Sequence, residues 1–137
     1  MNQATQKLRI YAENLIDDEV SRNETSKSNP AAPFVVIEKL SPHFVALMGA
    51  AGFRALLARA LALSSAEVSW LRELHVGNDG SFEGLDELNG RANPEEISAG
   101  GIVLLARLLG LLVALIGEDL TLRLLSNFNN IEFSLEN

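Results

Sequence analysis

The chain has 137 residues, 47% of them hydrophobic, and sets 11 Lys and Arg against 18 Asp and Glu for a net charge of −7. One domain of that length buries roughly two-thirds of its unfolded surface and can build a core without covalent staples. The absence of cysteine excludes disulfides, thiolate metal sites and cysteine nucleophiles. The acid excess repels phosphate backbones, and Arg54 and Arg59 make no basic face by themselves, so nucleic acid is not an expected partner.

The first element in chain order is an amphipathic helix from Ala4 to Arg22. Leu8, Tyr11, Ala12, Leu15 and Ile16 recur at helical spacing, and Glu13, Asp17 and Asp18 occupy the other side. Met1 to Arg9 is polar and shows no apolar run of a secretory signal, which gives a cytoplasmic expectation. The stretch from Asn23 to Pro33 is polar and carries two prolines, so it reads as a linker. The organisation expected is a helical arm over 1–23, a linker over 24–33 and a single helical domain over 34–137.

The domain opens on an apolar run, Phe34 to Leu40. Ser41-Pro42 is a cap followed by proline at a first helical position, which predicts a break and a second short helix to Met48. Gly49 to Gly52 reads as a junction. A further helix follows from Phe53 to about Leu63, with Phe53, Leu57 and Leu61 on one face and Ala51, Ala55, Ala58 and Ala62 on another. Ser65 is placed to cap a short turn through Trp70.

Leu74 to Glu83 has the form of a hairpin, two short runs around Gly77-Asn78-Asp79-Gly80. Two such short strands are marginal in water, so the hairpin must pack on the helices or gain a third strand. Ile131 to Leu135 alternates apolar and polar residues and could supply it, or could be a frayed tail. After a loop over Gly84 to Arg91, Asn93-Pro94-Glu95-Glu96 is a strong helix start: a cap, a proline at the first position and acids at the positive end of the dipole. The helix it opens runs to about Ile116 and is apolar nearly all round, as in a buried central helix or a membrane span. A last helix covers Leu120 to Ser126. Ala106, Gly110 and Ala114 repeat the small-residue stripe of Ala51 to Ala62, and the two stripes are expected to face each other in the core. The fold class that follows is mainly α: a helical bundle with a small β-hairpin over about 74–83 and an N-terminal helical arm.

Chemistry-bearing residues are few. The two histidines, His43 and His75, stand alone in a chain without cysteine, which argues against a structural zinc site. A twelve-residue calcium loop from His75 to Asp86 fails at its first and third positions, where His75 and Gly77 replace oxygen ligands. Gly49-Ala-Ala-Gly52 lacks the Lys-Ser/Thr of a phosphate loop, and no nucleophile elbow occurs. Carboxylates cluster at helix starts and solvated faces. No catalytic, metal or cofactor residue is assigned, and no cofactor is expected. Trp70, the only tryptophan, is expected to cover a core edge.

Arg107 is the one charge within the apolar stretch Ile97 to Gly117. A buried arginine must be paired. It can instead lay its stem on apolar neighbours and reach water, pair with Glu67 or Glu38, or hold an anionic ligand.

The leading functional expectation is a non-enzymatic protein–protein interaction or regulatory module. Leu8, Tyr11, Leu15 and Ile16 would be its contact residues, for a partner or for a homodimer made by exchange of arms. The alternatives are a small-anion binding protein or enzyme using Arg107, and a membrane-active protein. Against insertion of residues 97–117, acids flank both ends and no Lys or Arg anchors them.

Overall fold

The structure is a computed structural model that describes residues 10, 12–15, 32–77, 82–85, 87 and 93–125. It is mainly α-helical with one small antiparallel hairpin. Three long helices carry it: α1 (Ala32–Met48), α2 (Ala50–Ser65) and α3 (Pro94–Ile116). A 3-10 turn (Ser69–Glu73), β1 (His75–Val76) and β2 (Phe82–Glu83) lie between α2 and α3. Residues 10, 12–15 and 118–125 are helical as well. Of the expected loop over 84–91, Leu85 and Glu87 also have helical backbone. The expected strand at 131–135 lies outside the described residues.

α1 is one helix, not two. Pro42 sits inside it, exposed, and the chain continues helical from Leu40 to Met48. The predicted break gave way because Phe34, Val36, Ile37 and Leu40 before it and Phe44 after it fall on one buried face. A proline inside a helix costs about 3 kcal/mol. Burying a side chain such as Phe44 recovers about 1.5–3 kcal/mol. The helix begins at Ala32, so Pro33 lies in the first turn, where a missing N–H has no partner to lose.

Gly49 and Gly117 make two equivalent corners. Their dihedrals are φ 86, ψ 158 and φ 92, ψ 156, a region that side chains with Cβ scarcely enter. Gly49 donates its N–H to the carbonyl of Val45 and accepts from the N–H of Phe53. Gly117 does the same with Val113 and Thr121. Each glycine therefore closes one helix and opens the next without a loop.

The start of α3 is as expected. The Asn93 side chain accepts from the Glu95 N–H at 2.7 Å, and Pro94 holds the first helical position. α3 buries Ile97, Gly100, Gly101, Leu104, Leu105, Leu108, Leu109 and Leu112, and packs against both α1 and α2. α2 contributes Phe53, Leu57, Ala60, Leu61 and Ser64 to the core. Phe44 of α1 stacks on Phe53 of α2 across the Gly49 corner, at 5.9 Å between ring centres. Buried hydroxyls are satisfied locally: Ser64 donates to the Ala60 carbonyl and Thr121 to the Gly117 carbonyl, each at 2.8 Å.

The expected pairing of small-residue stripes is overturned. Ala51, Ala55, Ala58 and Ala62 are all exposed, as is Ala114, while Ala106 and Gly110 are half-buried. On a helix of 3.6 residues per turn these stripes lie opposite the Phe53-Leu57-Leu61 and Leu104-Leu108-Leu112 faces. Larger apolar side chains release more water-exposed area on burial, so those faces turn inward. Close approach is made elsewhere, at Gly100 and Gly101. A methyl group at Gly100 would collide with Trp70 Cζ2, and one at Gly101 would meet Pro33 Cβ at 2.6 Å. Trp70 thus covers a core edge, as its position suggested.

The hairpin pairs His75 with Glu83 and Val76 with Phe82. It is held by the helices: Phe82 meets Phe34 of α1 edge-to-face at 5.3 Å. That contact supplies the packing a lone two-stranded ribbon lacks. Ser65 caps nothing; its hydroxyl donates back to the Ala62 carbonyl, and Val68 precedes the 3-10 turn.

Candidate interaction surfaces

Of the N-terminal contact residues, Leu15 is described and lies in the chain's own core. Ala12 and Leu15 belong to the same buried cluster as Leu57 and Leu108. Leu8, Tyr11 and Ile16 lie outside the described residues. Ile10 is 59% exposed, while Glu13 and Asn14 face water. The amphipathic pattern is thus expressed at the described positions: Ala12 and Leu15 turn inward and the polar residues turn outward.

Arg107 combines two of its expected states. It lies at the surface, half-buried, and its Nε donates to Glu67 Oε2 at 2.9 Å, with Nη2 donating to the same oxygen. Glu67 comes from the turn after α2, so the pair ties the end of α2 to the middle of α3. The carboxylate that Arg107 holds belongs to its own chain. Their side chains are 40% and 46% exposed, so the pair is worth at most about 1 kcal/mol.

An open groove of about 530 Å³ runs between α2 and β1. The exposed alanines of α2 form one wall, and His75 and Val76 form part of the other. Among the described residues, its charged lining is Arg54 and Arg72. In the sequence Arg54 has Arg59 for its basic neighbour, and the two make no basic face by themselves. In the structure Arg54 of α2 and Arg72 of the 3-10 turn line the same groove. Eighteen positions separate these two in the chain, so no local pattern announces the pairing.

His43 and His75 are both exposed, and His75 is the one that lines the groove. Among the described residues no group of three or more His, Cys, Asp or Glu is placed to hold a metal ion. One helix among them, α3, is long and apolar enough to cross a membrane. Its inner face is buried in the bundle, while Ile102, Val103, Ala106 and Val113 are half-buried and Ala99, Ala114 and Leu115 are exposed. No protein-family model matches the chain, and comparison with curated proteins and with solved structures returns no significant similarity.

Proposed function

We propose that the chain is a non-enzymatic, cytoplasmic protein–protein interaction module that associates through its N-terminal amphipathic helix. The observation that carries this reading is the burial of Ala12 and Leu15 against the helical body, beyond a polar stretch with two prolines. A body that accepts such a helix from its own chain presents the same apolar seat to the equivalent helix of another copy. Exchange of an identical element between copies is a low-cost route to a dimer. The solution mass of the full chain across a wide concentration range tests it. Growth to a dimer, reversed by an excess of a synthetic peptide covering residues 1–23, is the expected result. A chain that remains monomeric at every concentration and captures no such peptide overturns it.

The apolar outer side of α3 favours a second reading, a membrane-active protein that unpacks this helix. Release of dye from anionic liposomes is its test, and vesicles that stay sealed at neutral and acidic pH remove it.

A further inference from the structure

The corner at Gly117 rests on one pair of dihedral angles. At φ 92, ψ 156 the residue sits in a region essentially reserved for glycine. A Cβ added there would meet nothing within 4 Å, so packing at Gly117 itself does not hold the corner bent. What holds it is the helical segment over 118–125, where Thr121 and Leu125 are fully buried. Leu125 belongs to the core cluster, and Leu124 packs against it. Helical hydrogen bonding runs up to the corner and away from it: Gly117 donates to the Val113 carbonyl and accepts from Thr121. With helical dihedrals at Gly117, the N–H groups of Glu118, Asp119 and Leu120 reach the carbonyls of Ala114, Leu115 and Ile116, and α3 runs on unbroken through residue 125. On that straight helix Thr121 and Leu125 fall about 120° round the axis from the line of Leu104, Leu108 and Leu112. They also start about two and a half turns beyond Leu112, so their own body cannot cover them. The corner at Gly49 has nearly the same dihedrals, but the helix beyond it carries Phe53, Leu57, Ala60 and Leu61 of the core, a larger load than the described segment beyond Gly117.

We propose that Gly117 is a hinge and that the segment beyond it exchanges between two copies of this chain. In the exchanged dimer α3 is straight through residue 125. Thr121 and Leu125 of one copy take the seat that the equivalent segment of the other has left. A second copy is the fitting occupant because the seat is already shaped to this segment. The same side chains fill it in the closed chain, so exchange recreates those contacts and alters only the hinge. Two exposed apolar side chains flank that hinge, Leu115 at 62% and Leu120 at 42% exposure. The hinges of two exchanged copies lie side by side, and their meeting covers these side chains, an interface the closed chain lacks. The exchanging element is not the N-terminal helix, so this inference stands or falls apart from the assembly reading above.

The test is a distance measurement on the full chain. The sequence has no cysteine, so cysteines replacing Ala99 and Arg123, both exposed, take spin labels at those two places alone. Labelled chain is diluted in unlabelled chain so that only distances within one copy are read. A straight helix separates the two positions by about 36 Å, and the bent chain holds them closer. Gly117→Ala favours the straight form twice over, because alanine is strained at the corner dihedrals and is the better helix former. The expected result is a dimer by light scattering, formed about tenfold or more tightly than in the parent, with the labels moved to the longer separation. In the parent the long separation should grow with concentration, a readout that needs no hinge variant to fold. Gly49→Ala, strained in the same way, should keep the parent's mass and separation. The proposal is overturned if the separation stays short in Gly117→Ala or in the parent at every concentration, or if it lengthens in a chain that remains a monomer. A Gly49→Ala chain that dimerises and lengthens alike overturns the assignment of the hinge to Gly117. A dimer with unchanged label separation also overturns the proposal, and is the outcome expected from exchange of the N-terminal helix alone.

Discussion

At Gly100 and Gly101 the backbone of α3 lies directly against Trp70 and Pro33, and a single added methyl decides the outcome. Gly100→Ala forces the indole, a rigid ring, out of its seat. It should destabilise by about 1–3 kcal/mol, the cost of overpacking. Urea denaturation followed by the fluorescence of Trp70 measures it, and the native emission should shift as well. Gly52→Ala is the opposite case. Its nearest neighbour would be Met48 Cγ at an ordinary 3.5 Å, in the first turn of a helix where glycine is costly. That substitution should stabilise by about 0.5–1 kcal/mol. Two glycines on helices thus respond with opposite signs, for a reason visible only in three dimensions. At Arg107, a double-mutant cycle with Arg107→Ala and Glu67→Ala should return a coupling of about 0.2–1 kcal/mol that shrinks in high salt. A coupling several times larger would mean the pair is far less solvated than its exposure indicates. Arg107 itself was legible in the sequence as a lone charge in an apolar helix, and Glu67 was one of two partners weighed for it. The choice of Glu67 over Glu38 was not, because a pairing across 40 positions depends on how α2 docks on α3.

The elements were legible where local chemistry dictated them. Asn93-Pro94-Glu95-Glu96 fixed the start of α3 because cap, proline and dipole all act within one turn. Asn93→Ala should cost about 1 kcal/mol of stability by thermal or chemical melting, since it leaves the Glu95 N–H without its acceptor. The turn residues of the hairpin likewise marked its position, and the register that places Val76 opposite Phe82 agrees with the two apolar runs. Local signals misled where packing outweighed them. Ser41-Pro42 is a good helix start, but it lies within a continuous buried face that runs from Phe34 to Phe44. Replacing the exposed Pro42 by Ala returns one N–H donor to the helix interior, and α1 should gain stability from it, seen as a rise in Tm. The alanine stripes misled for a related reason. Small residues allow helices to approach closely, but they do not compel it. The inward face is set by Phe53, Leu57 and Leu61, which bury more area, and the alanines were left to line a surface groove.

At the scale of the whole molecule, the mainly α class followed from apolar periodicity in the long segments. The seat of the N-terminal helix did not, because an amphipathic helix carries the same pattern whether it closes on its own body or on another. The burial of Leu15 makes that helix a contributor to stability in either arrangement. Leu15→Ala should cost about 2–5 kcal/mol if its surroundings stay rigid, and less if they collapse around the gap. Should the unfolding free energy of this variant equal that of the parent, the N-terminal segment is not part of the core. The groove and its arginines were the least legible feature, because they arise only where α2, the 3-10 turn and β1 come together.

The corners at Gly49 and Gly117 bear on how quickly this chain finds its fold. A helix that passes into the next through one residue has almost no loop to close, so the entropic cost of bringing the two together is small. The units from α1 to α2 and from α3 to residue 125 can therefore organise early, each by contacts between near neighbours in the chain. The slower event is their meeting, which must bring Glu67 to Arg107 and Trp70 to Gly100 over 40 and 30 positions of intervening chain. The rate-limiting barrier should thus lie at the docking of α3, and a variant at Gly100 should slow refolding more than a variant at either corner does.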